Sequence, residues 1–291
     1  MSGWLLAQAD ARRLPLADRC VQCVVTSPPY WGSLRDYGCD GQLGIERHPR
    51  DYIASLRSVF AELRRVIRPD GVAWLNLRDT YAASGKGGGG IAGKRGSWDT
   101  VKHRRGYRQP PRGYKYKDLA LVSFAAAEAI RQDGWTLRAT IVWRKPTATE
   151  PMRVDRPSLS HEYLFQFGAT RHSSVTNPGE AWWGHSVWDI TPASDAAHPA
   201  AMPGELARRC VACSSNRGDL ILDPFNGSGT TGDVARQLDR RYVGFDLSRD
   251  YLGLAVDRIG SALTPRSKLD AGPAVVPLPG QLSLFAEEKA S

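Results

Sequence analysis

The run LILDPFNGSGTTGDVARQLDRRYVGFDLS, Leu220 to Ser248, leaves the chain few folds to choose from. An apolar strand stops at Asp223, a turn containing Gly227 and Gly229 follows, a helix starts near Thr231, and RYVGFD returns as a strand that closes on Asp246. Strand, helix, strand in that order calls for a mostly parallel sheet with helices on both faces. The two glycines let the backbone pass close to a ligand and take positive φ. An acid ending the second strand is placed to bind a pair of ribose hydroxyls. A phosphate-binding loop would carry Lys before its Ser/Thr, and GSGTT has none. Asp223, ending the first strand, would repel a pyrophosphate and attract a cationic amino-acid group. That favours S-adenosylmethionine, with its sulfonium and ammonium charges, over a nucleotide.

The rest of the chain alternates in the same way. CVVTS reads as a short strand, and Asp51 to Ile67 carries apolar residues at helical spacing before RPDG, a turn. GVAWLNL is the next strand. DLALVSFAAAEAIRQDG is a helix stopped by Gly134, and TLRATIVWRKP and HEYLFQF are strands. Arg171 to Ala200 is irregular and polar, with Trp182, Trp183 and Trp188. From Thr264 onward Pro, Gly and small residues predominate, and a disordered tail is expected. The expected organisation is one catalytic domain over 1–263, with a basic insertion at 85–117 and an irregular target-recognition segment at 171–197, then the tail, 264–291.

Within the domain, VVTSPPYWGS ends a β-branched run in two prolines and two aromatics. Pro28 and Pro29 cannot donate to a ladder, so the strand stops there and Ser27, Tyr30 and Trp31 sit on a stiff turn. Open α/β sheets bind ligands at the carboxyl ends of their strands, which is where this turn falls.

Charge points to the partner. Gly85 to Lys117 holds ten Lys/Arg against Asp99 alone, a local +9 that equals the formal excess of the 291-residue chain. Basic residues interleaved with Trp98, Tyr107, Tyr114 and Tyr116 suit phosphates and bases together, so Lys94, Arg95, Lys102, Arg104, Arg105, Arg108, Arg112 and Lys115 are expected on nucleic acid. No apolar run reaches membrane length and the N-terminus lacks a signal-peptide core, so a cytoplasmic protein without a membrane partner is expected. Cys20/Cys23 and Cys210/Cys213 have C-x-x-C spacing, but no turn-rich knuckle surrounds either pair, and they read as small core hydrophobes with no metal. Trp4, Trp74 and Trp143 read as core, and His161 as a satisfied histidine at a strand start.

TSPPYW and DPFNGSGTT together resemble the catalytic and cofactor motifs of amino-methylating DNA methyltransferases. The catalytic motif precedes the cofactor loop by most of the chain, an order that resembles the circularly permuted β-class. AQADARRLPL resembles the family segment whose acid, here Asp10, contacts the adenine ring, and HPAAMPGEL, from His198, the segment that completes the methionine pocket. The resemblance implies a Rossmann-like methyltransferase fold that binds S-adenosylmethionine through Asp10, Thr26, Ser27 and His198. It adds Asp223, Pro224, Phe225, Asn226, Gly227, Gly229 and Thr230 from the loop, with Asp246 and Leu247 from the following strand.

An exocyclic amine is a poor nucleophile because its lone pair is delocalised into the ring. Ser27 Oγ and the Pro28 carbonyl are the acceptors expected to free it, with Pro28 and Pro29 holding them rigid. Tyr30 would stack on a base flipped out of double-stranded DNA, and Trp31 could line the base pocket. Ser in the first motif position is typical of N4-cytosine enzymes in this family and Asp of N6-adenine enzymes. N6-adenine methylation, an RNA or protein-glutamine methyltransferase, and a non-catalytic DNA-binding module stay open as alternatives. Two partners complete the expectation. GQLSLF resembles a sliding-clamp docking peptide, with Gln281, Leu282, Leu284 and Phe285 as contacts, and a methyltransferase of this kind can serve a cognate restriction endonuclease.

Overall fold

The structure, a computed structural model, describes residues 3–32, 37–83, 110–147, 155–193 and 202–261. Its strands are β1 (Trp4–Gln8), β2 (Val21–Thr26), β3 (Ile67–Leu77), β4 (Thr136–Arg144), β5 (His161–Gly168), β6 (Val187–Asp189), β7 (Leu220–Asp223) and β8 (Arg241–Asp246). The helices are α1 (Pro49–Val66), α2 (Val122–Gln132), α3 (Gly204–Ser214), α4 (Thr230–Gln237) and α5 (Arg249–Ser261). The strands form one sheet in the order β1-β8-β7-β2-β3-β5-β4-β6. Among the described residues no helix is long and apolar enough to cross a membrane.

Alternation along the central strands gives the sheet two apolar faces. Val24 of β2 packs with Ala73, Leu75, Phe165 and Phe245 under α1 and α2. Its neighbours Cys23 and Val25 pack with Trp74, Leu164 and Ile221 under α3, α4 and α5. α1 follows from its sequence: Pro49 opens it, His48 Nδ1 accepts from Arg50 N, and Tyr52, Leu56, Val59, Phe60 and Leu63 fall on one buried stripe. Cys23, Cys210 and Cys213 are buried free thiols in the second layer, as small hydrophobes are expected to be.

Two expectations are corrected, and the sheet is mostly parallel as expected. The expected turn RPDG is part of β3: Val21 pairs with Ile67 and Cys23 with Val72, so residues 68–71 are an extended bulge. The sheet is parallel from β1 to β3, but β5 runs antiparallel to both β3 and β4. The chain crosses from β3 through α2 to β4, leaving one strand-width between them, and β5 folds back into that gap. The segment read as irregular contains a 3-10 turn, Ala181–Gly184, and the edge strand β6. There Trp188 is buried against Trp74, so its ring is not offered to DNA, and the half-buried Trp182 packs on Trp188. The tail 264–291, with Gln281, Leu282, Leu284 and Phe285, lies outside the described residues, as do Lys94, Arg95, Lys102, Arg104, Arg105, Arg108 and His198.

Candidate active site

The carboxyl ends of β1, β8, β7, β2 and β3 point to one edge of the sheet, and the reversed β5 brings its amino end to the same edge, where Tyr163 pairs with Leu77. A cavity of about 450 Å³ opens there, a size suited to a small-molecule ligand. One end is lined by Asp10, Pro224, Phe225, Gly227, Asp246 and Leu247. The other is lined by Ser27, Pro28, Pro29 and Tyr30. The two sequence motifs, far apart along the chain, therefore face one space.

At the first end, Asp246 Oδ2 accepts from Gly227 N at 2.8 Å and Oδ1 from Ser248 N at 2.9 Å. These bonds fix the carboxylate while each oxygen keeps a lone pair for a hydroxyl donor. Burial pushes the Asp246 pKa above the ordinary aspartate value. Gly227 has φ +50° and Gly229 φ +84°; a Cβ on Gly229 would stand 2.9 Å from Ala255 Cβ, so only glycine lets α4 start against α5. Asp10 is tied to Arg12 at 2.6 Å, and that hydrogen bond lowers its pKa.

Five residues expected on the cofactor do something else. Asp223 is 4% exposed and does not line the cavity. Its oxygens accept from Thr26 Oγ1 (2.9 Å), Thr231 Oγ1 (2.9 Å) and Phe225 N (3.1 Å), so it joins β2 and α4 to the loop and is not turned toward a cation. Burial pushes its pKa up to about 6. Thr26 is spent on that bond. Asn226 is buried, accepting from Tyr242 Oη at 2.7 Å and donating to the Gly227 carbonyl. The Thr230 hydroxyl is bound by Arg258 at 2.8 Å. Gly229 acts through the helix start. These residues shape the loop from behind.

At the second end Tyr30 is held by its hydroxyl. Oη lies 2.7 Å from Glu162 Oε2, 3.0 Å from Asn76 Nδ2 and 3.1 Å from Ser27 Oγ. Burial, reinforced by the Glu162 charge, raises the phenol pKa well above its ordinary value. Glu162 also takes Asn76 Nδ2 at 2.8 Å and Lys145 Nζ at 2.5 Å. Lys145 stands 4.6 Å from the Trp143 ring. Glu162, Asn76 and Lys145 all line the cavity and none was foreseen. Their one sequence signal is polarity out of place: an acid at the second position of HEYLFQF, an amide in GVAWLNL and a lysine closing TLRATIVWRK.

Trp31 is corrected. It is 1% exposed, packed in the α1 layer with Nε1 donating to the Glu46 carbonyl at 2.9 Å, and it cannot line a base pocket or touch DNA. Of the expected DNA-contacting cations, Arg112 and Lys115 are described, and both are exposed. His161 starts β5 with Nε2 on Tyr163 Oη, as a satisfied histidine.

Residues 21–257 match the DNA methylase family. The chain is 39% identical over 272 residues to the Type II methyltransferase M.Cfr9I of Citrobacter freundii, covering 89% of this chain and 88% of that protein. It is 42% identical over 254 residues to the Type II methyltransferase M.SmaI of Serratia marcescens, covering 81% and 83%. Among solved structures, PvuII DNA methyltransferase (cytosine-N4-specific) superposes with a TM-score of 0.68 at 17% identity over 92% of this chain and 89% of that one. A Thermus thermophilus protein solved with S-adenosyl-L-methionine superposes with a TM-score of 0.63 at 24% identity, covering 89% and 94%.

Proposed function

The chain belongs to the DNA methylase family, and from that premise we propose that it methylates the exocyclic N4 amine of a cytosine flipped out of double-stranded DNA. Its α/β sheet is the fold of S-adenosylmethionine-dependent methyltransferases, and S-adenosylmethionine is the methyl donor. The observation that carries the reading is the shared cavity, with a ribose-binding acid at one end and a neutral serine acceptor at the other.

The first end fits the donor by its chemistry. Asp246 offers lone pairs to the ribose hydroxyls, Phe225 an apolar face to the adenine, and the Gly227 backbone a close approach. Bound there, S-adenosylmethionine supplies an electrophilic methyl on a sulfonium. At the other end Ser27 Oγ and the Pro28 carbonyl take the two amine hydrogens and draw the nitrogen toward tetrahedral geometry. Pro28 and Pro29 prevent those oxygens from reorganising. The Tyr30 ring supplies a stacking face. With the donor bound, the nitrogen lone pair would take the methyl in line and the sulfonium would become a neutral thioether, with no covalent enzyme intermediate. The methylated nitrogen, now cationic, would then release one of its two protons to solvent through the open cavity.

Three further points belong to the reading. The motif order, β2 with Ser27 before the β7 loop, is the order of the β-class, with 1–263 as the catalytic domain. The basic residues of 85–117, Arg112 and Lys115 included, track the duplex phosphates. The relatives' Type II names support a restriction endonuclease as counterpart, and residues 281–285 would dock on a sliding clamp. The test is digestion of DNA methylated in vitro and identification of the modified nucleoside by mass spectrometry. N4-methylcytosine is expected, whereas N6-methyladenine alone would move the protein to the other branch of its family.

A further inference from the structure

The polar side chains at the catalytic end of the cavity form one run of hydrogen bonds, and the direction of each bond follows from what its ends can donate. Lys145 Nζ and Asn76 Nδ2 carry only protons to give. Lys145 gives to Glu162 Oε1, and Asn76 gives to Glu162 Oε2 and to Tyr30 Oη. A carboxylate only accepts, so the 2.7 Å contact between Tyr30 Oη and Glu162 Oε2 takes the single proton of the phenol. Ser27 Oγ lies 3.1 Å from the same Oη. With the phenol proton committed, that contact has one polarity left: Ser27 donates to Tyr30. The lone pairs of Ser27 are then free for a group in the cavity, and the serine meets that group as an acceptor.

We propose that Glu162 is a positioning residue for methyl transfer, setting Ser27 as a hydrogen-bond acceptor through Tyr30, with Lys145 and Asn76 holding the carboxylate in place. This rests on the assignment of Ser27 to the target amine. A serine hydroxyl left to rotate would also offer its proton to the amine nitrogen and occupy the lone pair that must attack the methyl. Tying that proton to Tyr30 removes the unproductive arrangement before the base arrives, which is preorganisation of the kind that lowers a barrier. The Lys145 and Glu162 side chains are 11% and 7% exposed, so little water is at hand to reverse the bonds. A buried ion pair is a weak contributor to stability, since desolvation offsets much of its attraction. Its place on the wall of the cavity, one residue from the serine that it orients, accords with a role in the reaction.

The substitution Glu162→Gln tests this because it keeps the shape of the side chain while it removes the charge that Lys145 faces and lets the bond to Tyr30 reverse its polarity. Lysine claims the amide oxygen, which turns the amide NH2 toward Tyr30; the phenol proton is released to Ser27, and the serine loses its fixed direction. The expected result in single-turnover methylation of duplex DNA is a loss in rate of about tenfold or more, with DNA KM and S-adenosylmethionine affinity within about twofold, the pattern of an interaction made only in the transition state. Adding Lys145→Met to Glu162→Gln restores part of the rate, because the amide oxygen can then turn to Tyr30. In a Tyr30→Phe background, which keeps the stacking ring, Glu162→Gln adds no further loss. Equal losses in the Tyr30 and Tyr30→Phe backgrounds, or a loss confined to KM or cofactor affinity, would overturn the proposal. If circular dichroism shows that Glu162→Gln does not fold, Glu162→Asp replaces it: its shorter arm releases Tyr30, and the same non-additivity with Tyr30→Phe is required. Wild-type enzyme that leaves no methylated amine on DNA would overturn the proposed function instead, so the two failures are told apart.

Discussion

Asp223→Asn separates a buried hub from a cofactor ligand. The Asp223 carboxylate is buried behind the loop, and burial outweighs its three hydrogen bonds, so its pKa rises from 3.8 to about 6. In the unfolded chain the same carboxyl ionises near its ordinary value. Between the two values the folded state holds a proton that the unfolded state has lost, so this group's contribution to stability falls as pH rises through that window and is level above it. A rise of about two pH units, at about 1.4 kcal/mol for each, makes the loss about 3 kcal/mol. Asparagine has no proton to release. The wild type should therefore lose about 3 kcal/mol relative to Asp223→Asn between pH 3 and about 7, whatever the offset between them at low pH. Urea unfolding followed by tryptophan fluorescence at stepped pH, without cofactor, gives the difference curve. Carboxylates with lowered pKa, such as Glu180 beside Arg208, act alike in both proteins and cancel. A flat difference curve, or a wild type that gains with pH, would refute the reasoning. S-adenosylmethionine affinity should survive the change, whereas a residue facing the cofactor's cationic end would lose most of it.

Three more outcomes are expected. Trp31→Ala should cost about 3–5 kcal/mol in urea unfolding, as for other large core truncations; an unchanged midpoint would contradict its core placement. Asp246→Ala should weaken S-adenosylmethionine by about 1–3 kcal/mol in calorimetric titration, the range for lost hydrogen bonds to a charged group, and unchanged affinity would mean that another residue holds the ribose. Replacing Arg104, Arg105 and Arg108 together with Ala should lower DNA affinity and flatten its salt dependence by up to about three ions' worth of slope; an unaltered slope would remove the insertion from the phosphates.

The features that act through neighbouring residues are legible in the sequence. The period of Asp51 to Ile67 makes a helix with one apolar stripe, and the glycines between Asp223 and Thr231 make a turn that only they can take. Two prolines end β2 and leave Ser27 at its tip, and Asp246 ends β8 beside the loop that it hydrogen-bonds. Those are local matters of backbone sterics and side-chain alternation, written in a few consecutive residues. Tertiary structure decided the partners. Asp223 looks free in the sequence, but Thr26, 197 positions away, claims its oxygen once β2 and β7 pair. Trp31 follows Tyr30 directly, yet one ring reaches the cavity and the other is buried under α1, because the course of the turn after Pro29 assigns them to different sides. Glu162, Asn76 and Lys145 meet only because β5 reverses into the gap between β3 and β4. Strand order is settled by the burial of both sheet faces at once, a balance summed over the whole core that no short stretch contains.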